Sequence, residues 1–265
     1  MPELPEVETI IRGLQGPLVG RTFTSIEIGW GNAVRTPHRV IARELPGRRI
    51  ERLDRRGKYL HFILSGNRSL ILHLKMSGDL LVEPKHEPRH PHVRTVFTLD
   101  NGHELRFKDP RKFGRVYFVT DPAEVTGRLG PEPLSDEFTC DQFKELFTGR
   151  RGRLKPLLLN QEFIAGIGNI YADESCFDAG ISPRRLVQTL RPAELERLHR
   201  GIRKVLRRGI MHRGASFDAV YRGGTFQDHF KAYGRTGERC RRCTGFIRRI
   251  VLGGRSTHYC PRCQR

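Results

Sequence analysis

The chain has 265 residues, with 48 Lys and Arg against 29 Asp and Glu, and a formal net charge of +19. A hydrophobic content of 37% is typical of a soluble globular protein, and no run of about 18 apolar residues is present to span a membrane. The acidic start of the chain also excludes a secretory signal, so we expect an intracellular protein.

The positive charge is concentrated near the C-terminus. Residues 200–265 contain 17 Lys and Arg against three Asp and Glu. A basic surface attracts phosphate polyanions and releases their counterions on binding. An ordinary solvated face is the alternative, but the concentration of charge in one segment favours a nucleic-acid partner.

The first half of the sequence predicts one helix followed by β-strands. Residues 3–15 carry apolar side chains at the i, i+3, i+4 and i+7 positions of a helix. Strands are predicted over residues 24–30, 59–64, 70–74, 95–99, 103–107 and 115–119. Asn101-Gly102 lies between two of these strands and is the strongest hairpin signal in the chain. Several strands after a single helix favour a β-sandwich.

The second half of the sequence predicts helices. A Gly- and Pro-rich stretch at residues 130–133 marks a domain boundary. Thr139 and Gln142 then form a capping-box pattern at the start of a helix. Further helices are predicted over residues 169–179 and 192–212, and a long Gly-rich loop over residues 213–235.

Two Cys-x2-Cys pairs near the C-terminus have the spacing of a structural zinc site. The four cysteines are Cys240, Cys243, Cys260 and Cys263. Residues 247–252 and 256–259 can pair as a hairpin around Gly253-Gly254, and so short a segment needs metal to fold. Four thiolates leave no open position for catalysis. The segment is rich in arginine, and Arg255 lies at the tip of the predicted hairpin.

Short motifs extend over the whole chain. In order they are PELPE at 2–6, GKYL at 57–60, HLKMSG at 73–78, DPRKFG at 109–114, KPLL at 155–158, GIGNIYA at 166–172, YGR at 233–235 and GRST at 254–257. Each motif alone is weak, but their joint occurrence in this order is highly specific. Together they resemble the formamidopyrimidine-DNA glycosylase family.

The resemblance implies an α+β fold with three domains. They are an N-terminal catalytic β-sandwich with flanking helices at 1–130, a helix–two-turns–helix DNA-binding domain with a lesion-capping loop at 131–230, and a zinc-ribbon finger at 231–265. Damaged double-stranded DNA is expected to bind between the two halves of a monomer that holds one structural Zn²⁺. The capping loop, residues 215–226, is shorter than is usual in the family, which bears on base preference rather than on the chemistry.

The implied function is base-excision repair. A family member is a bifunctional enzyme: a glycosylase that removes oxidised purines such as 8-oxoguanine and formamidopyrimidines, and a lyase that cleaves the abasic site by β,δ-elimination. Its nucleophile is the amine of Pro2, exposed when Met1 is removed. A free α-amine has a pKa of about 7.7–8.0, against about 10.4 for lysine, so more of it is unprotonated and able to form a Schiff base.

Three further residues match the family's catalytic positions. Glu3 is expected to move protons during ring opening and imine formation. Lys58 is expected to donate a proton during β-elimination or to contact phosphate, and both roles are compatible. Arg255 matches the δ-elimination residue, but a guanidinium is a poor acid, so we expect it mainly to hold phosphate. Glu6 either orients the amine or stabilises the helix start.

Other residues match DNA-contact positions. Met76 and Phe113 are expected to fill the void left by an extruded lesion, and Arg111 to read the opposite base. The remaining expected DNA contacts are His90, Arg151, Lys155 and Asn169. Because Asn169 follows Gly166 and Gly168 at a helix start, free backbone N–H groups are expected there for a phosphate.

Two other functions compete with this interpretation. The first is specificity like that of endonuclease VIII, the sister type that favours oxidised pyrimidines, although Leu4 favours the purine branch. The second is a zinc-ribbon DNA-binding protein without catalysis. The joint presence of Pro2, Glu3, Lys58 and Arg255 argues against that second alternative.

Overall fold

The computed structural model describes residues 1–216 and 223–265. It contains two compact units. The first comprises Met1–Pro2, Glu6–Arg128 and Ser216, and the second comprises Glu3–Pro5, Leu129–Ala215 and Gly223–Arg265. The division into three domains at residues 130 and 230 stays a prediction. Among the described residues, no helix combines the length and apolarity needed to cross a membrane.

The first unit is built on two four-stranded antiparallel sheets. Its helices are α1 (Leu4–Leu18, from Glu6 onward), α2 (His38–Glu44) and α3 (Ala123–Thr126), and its strands are β1 (Phe23–Ile28), β2 (Ile50–Arg56), β3 (Tyr59–Leu64), β4 (Arg68–His73), β5 (Asp79–Pro84), β6 (Val93–Leu99), β7 (His103–Lys108) and β8 (Arg115–Val119). The strand orders are β1-β6-β7-β5 and β2-β3-β4-β8. Each predicted strand is present, and Asn101-Gly102 joins β6 to β7 with Gly102 at φ 77°.

One hydrophobic core lies between the two sheets. Phe23, Phe97 and Phe107 enter it from one sheet, and side chains such as Phe62 and Leu72 enter it from the other. One face of α1 packs against the same core with Val7, Ile11, Leu14 and Leu18. The β-sandwich predicted from the sequence is therefore confirmed.

Two strands and two short helices of the first unit were not predicted. Strand β2 has the sequence IERLDRR, in which only Ile50 and Leu53 are buried, so it lacks an apolar alternation. It is a strand because its backbone pairs with β3 from Ile50–Leu64 to Arg56–Tyr59. Strand β5 and the short helices α2 and α3 are likewise not evident from periodicity.

The second unit is helical and ends in a hairpin. Its elements are α4 (Cys140–Glu145), α5 (Leu154–Leu159), α6 (Asn169–Ala179), α7 (Pro192–Met211), β9 (Arg248–Leu252) and β10 (Arg255–Tyr259). Thr139 and Gln142 form the predicted capping box of α4. Helices α6 and α7 pack closely because α7 has glycines at the contact. A Cβ at Gly209 would lie 2.5 Å from the Tyr171 ring.

A buried arginine in the first unit holds the segment that follows β5. Arg106 on β7 is fully buried, and its guanidinium bonds to Glu104, to Glu83 and to the carbonyl oxygens of Pro84 (3.0 Å) and Glu87 (2.8 Å). Burial raises the pKa of Glu104, but its bonds to Arg89 and Arg106 outweigh burial and lower it. The buried guanidinium of Arg106 therefore holds the loop that leads to His90.

We expect Arg106→Met to lower the free energy of unfolding by about 3–5 kcal/mol, because it leaves buried Glu104 with one partner fewer. Arg52→Met is the matched control, since the Arg52 side chain is 68% exposed and lies 3.4 Å from Asp54. It should change stability by about 0.5 kcal/mol or less. Urea unfolding of both variants measures the difference, and equal losses would contradict the assigned role.

Candidate active site and zinc ribbon

Glu3 is bound to the N-terminal end of α6, within the second unit. Its Oε1 accepts a hydrogen bond from the backbone N–H of Ile170 (3.0 Å), and its Oε2 accepts one from Tyr171 (3.3 Å). Glycine is required at residue 168, because a Cβ there would lie 2.3 Å from Glu3 Cδ. The carboxylate is thus anchored at the positive end of a helix, where its charge is favoured.

The residues on either side of Glu3 are also closely held. The N–H of Leu4 donates to the carbonyl oxygen of Gly166 (3.1 Å), and Gly166 has φ +84°. A Cβ at Gly166 would lie 2.6 Å from the Leu4 side chain. Pro2 is buried, whereas Met1 is 42% exposed. The two glycines of the GIGN motif therefore allow the start of the chain to approach α6.

Lys58 lies on the turn between β2 and β3, in the first unit. The preceding Gly57 has φ 58°, and its carbonyl oxygen accepts a hydrogen bond from Arg55 Nη1 (3.0 Å). Arg55 Nε donates to Glu8 of α1 at 3.0 Å, and this contact lowers the pKa of Glu8 against the opposing effect of its burial. The Lys58 turn is thereby tied to the first turns of α1, the helix that Pro2 precedes.

Buried His73 lies close enough to Lys58 for the lysine charge to affect the pKa of the imidazole. Burial, followed by the charges of Lys75 and Lys58, lowers the pKa of His73 to about 3. Neutral His73 accepts a hydrogen bond on Nδ1 from the backbone N–H of Lys75 (2.9 Å) and packs edge-on against Tyr59. The imidazole is therefore uncharged at neutral pH and adds no positive charge beside Lys58.

The three residues expected to enter the DNA stack lie on two turns of the first unit. Met76 is 38% exposed and Phe113 is 45% exposed, and the Arg111 guanidinium lies 5.2 Å from the centre of the Phe113 ring. Both turns use a lysine in the left-handed region, with φ 53° at Lys75 and 60° at Lys112. Exposed apolar side chains beside a cation suit stacking against bases.

The four C-terminal cysteines converge as a metal site. Their Sγ atoms all lie within 4.8 Å of one another. The Cys240–Cys263 separation is 3.9 Å and the Cys243–Cys260 separation is 3.7 Å. Zn–S bonds of about 2.3 Å in a tetrahedron require sulfur atoms about 3.8 Å apart. The backbone N–H of Gly245 is the main cause that lowers the pKa of Cys243 to about 7. The residues therefore fit one structural zinc ion.

Comparison with known proteins agrees with this geometry. Family models match residues 1–116 (formamidopyrimidine-DNA glycosylase N-terminal domain), 129–219 (formamidopyrimidine-DNA glycosylase H2TH domain) and 237–265 (zinc finger found in FPG and IleRS). The formamidopyrimidine-DNA glycosylase of Herpetosiphon aurantiacus is 47% identical over 272 residues, with 100% of both chains covered. The chain belongs to the formamidopyrimidine-DNA glycosylase family.

Solved structures of this family have the same fold. A complex of Lactococcus lactis Fpg with DNA containing an abasic site aligns with a TM-score of 0.93 and 35% identity, over 99% of each chain. A structure of MutM with DNA containing carbocyclic 8-oxo-G aligns with a TM-score of 0.93 and 35% identity, over 100% of each chain. The α+β fold predicted from the sequence is confirmed over the described residues.

The structure corrects the role expected of Lys155. This residue is fully buried, and its ammonium forms an ion pair with Asp173 (2.6 Å) and donates to the carbonyl oxygen of Ser256 (2.7 Å). Burial lowers the pKa of Lys155, and Asp173 opposes that effect. An ammonium without solvent exposure cannot contact a DNA phosphate directly, so Lys155 instead fixes β10 next to Arg255.

Some of the backbone N–H groups expected to bind phosphate at the start of α6 are engaged within the protein. The N–H groups of Ile170 and Tyr171 bind Glu3, and so they are not available to a phosphate. Asn169 itself donates from Nδ2 to Ser256 Oγ at 3.3 Å.

His90, Arg111, Arg151 and Arg255 are exposed, as DNA contacts need to be. The middle of the capping loop, residues 217–222, lies outside the described residues.

Sequence reasoning missed two buried acidic residues on α6. Asp173 Oδ2 accepts hydrogen bonds from the backbone N–H (2.8 Å) and from Nδ1 (3.2 Å) of His258. Glu174 accepts from the backbone N–H groups of Lys231, Ala232 and Tyr233 at 2.8–3.1 Å. The sequence does carry a signal for these buried acids, because the two are adjacent on a predicted helix and most of their neighbours are apolar. These two side chains join α6 to β10 of the zinc ribbon and to residues 231–233.

We expect Cys260→Ser to lose the bound zinc and to weaken binding to duplex DNA about tenfold or more, because the ribbon arginines lose their scaffold. Cys140→Ser is the matched control, since Cys140 starts α4 far from the four sulfurs in sequence. Atomic absorption should give one zinc per chain for the control and none for the variant. Full DNA affinity in zinc-free protein would refute the ribbon's role.

Proposed function

We propose that this chain removes oxidised purines, 8-oxoguanine and formamidopyrimidines, from duplex DNA and then cleaves the abasic site through a Schiff base on the Pro2 amine. The observation that carries the proposal is the full-length match to formamidopyrimidine-DNA glycosylases, together with the anchoring of Glu3 directly after Pro2. The similar solved structures include complexes with DNA that contains an abasic site, carbocyclic 8-oxo-G or Fapy-dG.

The first chemical step is attack of the Pro2 nitrogen on sugar C1′. The nitrogen must be the chain terminus, since a peptide nitrogen has no available lone pair, and therefore Met1 must be removed. As the new C–N bond forms, the bond from C1′ to the base breaks and the base leaves with the electron pair. Glu3 takes up the proton that the Pro2 nitrogen loses and passes it to the ring oxygen as the C1′–O4′ bond breaks, and the product is an iminium ion.

Strand cleavage follows from the acidity that the iminium gives to the C2′ proton. Loss of that proton expels the 3′ phosphate, and a second elimination expels the 5′ phosphate. Lys58, at the turn tied to α1, supplies the proton-transfer group for the first elimination. Arg255 follows Gly253 and Gly254, which have φ 53° and 71° and form the tip of the β9–β10 hairpin. There it holds a phosphate by charge-assisted hydrogen bonds.

The enzyme acts as a monomer inside the cell, on chromosomal DNA. Met76 and Phe113 fill the space of the extruded nucleotide and Arg111 reads the opposite base. His90, Arg151 and Asn169 contact the DNA near the lesion. The charge excess of residues 200–265 supports a large electrostatic contribution to binding, which salt weakens.

We expect the chain that begins at Pro2 to form a covalent adduct with abasic-site duplex DNA in the presence of borohydride. A chain with a Gly-Ser extension before Pro2 should bind the same DNA and form no adduct, since its proline nitrogen is in a peptide bond. Denaturing gel electrophoresis measures the adduct. Absence of an adduct with the authentic N-terminus would refute the nucleophile.

We expect Glu3→Gln to slow release of 8-oxoguanine from a duplex opposite cytosine by about 10²–10⁴-fold, because a positioned proton donor is lost. Its unfolding midpoint should stay close to that of the original chain, since the amide oxygen can still accept a hydrogen bond from α6. Single-turnover kinetics on 8-oxoguanine and thymine-glycol duplexes also test the substrate class. Faster removal of thymine glycol would instead support endonuclease VIII-like specificity.

A further inference from the structure

A buried carboxylate connects the two turns that present Met76, Arg111 and Phe113. Asp109 is 1% exposed, and its Oδ1 accepts a hydrogen bond from the hydroxyl of Ser77 (2.5 Å). Its Oδ2 accepts one from the backbone N–H of Gly114 (2.6 Å). Ser77 directly follows Met76, and Gly114 directly follows Phe113. One side chain therefore fixes the residue after each apolar side chain.

The hydroxyl of Ser77 completes the connection. Ser77 is 2% exposed, and its Oγ accepts a hydrogen bond from the backbone N–H of Arg111 (3.2 Å) while it donates to Asp109. Arg111 is thus held from the turn that carries Met76. The three side chains lie on two turns that are joined through Ser77 and Asp109.

The same residue also contacts the segment that carries His90. The backbone N–H of Asp109 donates to the carbonyl oxygen of His92 (2.8 Å), and the carbonyl oxygen of Asp109 accepts from Arg94 Nε (3.1 Å). The carbonyl oxygen of His90 in turn accepts from Val93 N–H (2.9 Å). Asp109 is therefore bonded to three segments that carry residues expected to contact DNA.

Close packing makes this arrangement specific. A Cβ at Gly114 would lie 2.2 Å from the Phe107 ring and 3.0 Å from Asp109 Oδ2, and a Cβ at Gly78 would lie 2.6 Å from the Leu74 carbonyl oxygen. Both turns also contain a lysine at positive φ. This conformation costs free energy, and bonds from the surrounding structure must offset that cost. The Ser77–Asp109 pair supplies such bonds at the centre of the two turns.

We propose that Ser77 and Asp109 are positioning residues for lesion extrusion: they hold Met76 and Phe113 where these side chains fill the space of the extruded base, and Arg111 where it meets the opposite base. They do not touch the reacting sugar. This inference rests on the proposed function, because it assigns these turns a task on damaged duplex DNA. It predicts that loss of the Ser77 hydroxyl harms only reactions in which a base must leave the stack.

The test compares two substrates with one enzyme variant. We expect Ser77→Ala to slow single-turnover excision of 8-oxoguanine from a duplex about tenfold, as the loss of a buried hydrogen-bonding group allows. Cleavage of an abasic site in single-stranded DNA should stay within about twofold, because no base has to be extruded. Ser25→Ala is the matched control, since Ser25 Oγ donates to Thr98 Oγ1 (2.9 Å) on an exposed part of the sandwich.

A second comparison separates positioning from a general structural role. In a chain that already carries Met76→Ala, Arg111→Ala and Phe113→Ala, the Ser77→Ala change should have little further effect on duplex excision, because the three side chains it positions are gone. Asp109→Asn should give the same pattern as Ser77→Ala, so the test does not depend on one variant folding. Full additivity in the truncated background would overturn the proposal.

Other outcomes are equally decisive. Equal losses on duplex and single-stranded substrates would assign Ser77 and Asp109 a structural role only, and no loss on the duplex would remove them from the reaction. In both cases the original chain still excises 8-oxoguanine, so the proposed function stands. Failure of the original chain on every damaged substrate would overturn both proposals.

Discussion

Buried carboxylates that accept hydrogen bonds from backbone N–H groups hold the functional segments of this protein. Glu3 binds the start of α6, Glu174 binds the chain that leads into the zinc ribbon, and Asp109 binds the turn after Phe113. A carboxylate without water is costly, and several N–H donors offset that cost. Since irregular backbone leaves such donors unpaired, each carboxylate can fix a loop that has few apolar side chains of its own.

Helix α6 is central to the second unit for the same reason. Its N-terminal N–H groups bind Glu3, and its buried acids bind the ribbon through His258 and through the backbone of residues 231–233. Lys155 neutralises Asp173 and also holds Ser256, the neighbour of Arg255. A change on this helix therefore affects both Glu3, which follows Pro2, and Ser256, which follows Arg255.

The distribution of charge follows from this use of acids. Several Asp and Glu side chains, among them Glu3, Glu104, Asp109, Asp173 and Glu174, are buried and engaged with the protein's own donors. Many arginines of the ribbon and of the turns, such as Arg111 and Arg255, are exposed. The positive charges that make up the net charge of +19 therefore lie largely at the surface. There they attract DNA over a Debye length of about 8–10 Å.

The sequence alone determined those features that depend on neighbouring residues. The cysteine spacing predicted the zinc site, Asn101-Gly102 predicted a hairpin, and Thr139 with Gln142 predicted a helix start, since each pattern acts within a few residues. Tertiary structure decided what depends on distant partners. Glu3 and Ile170 are 167 residues apart in sequence, and Lys155 and Ser256 are 101 apart. A lysine or a helix N-terminus has the same appearance in sequence whether it faces DNA or a buried carboxylate, because burial is a property of the packed chain.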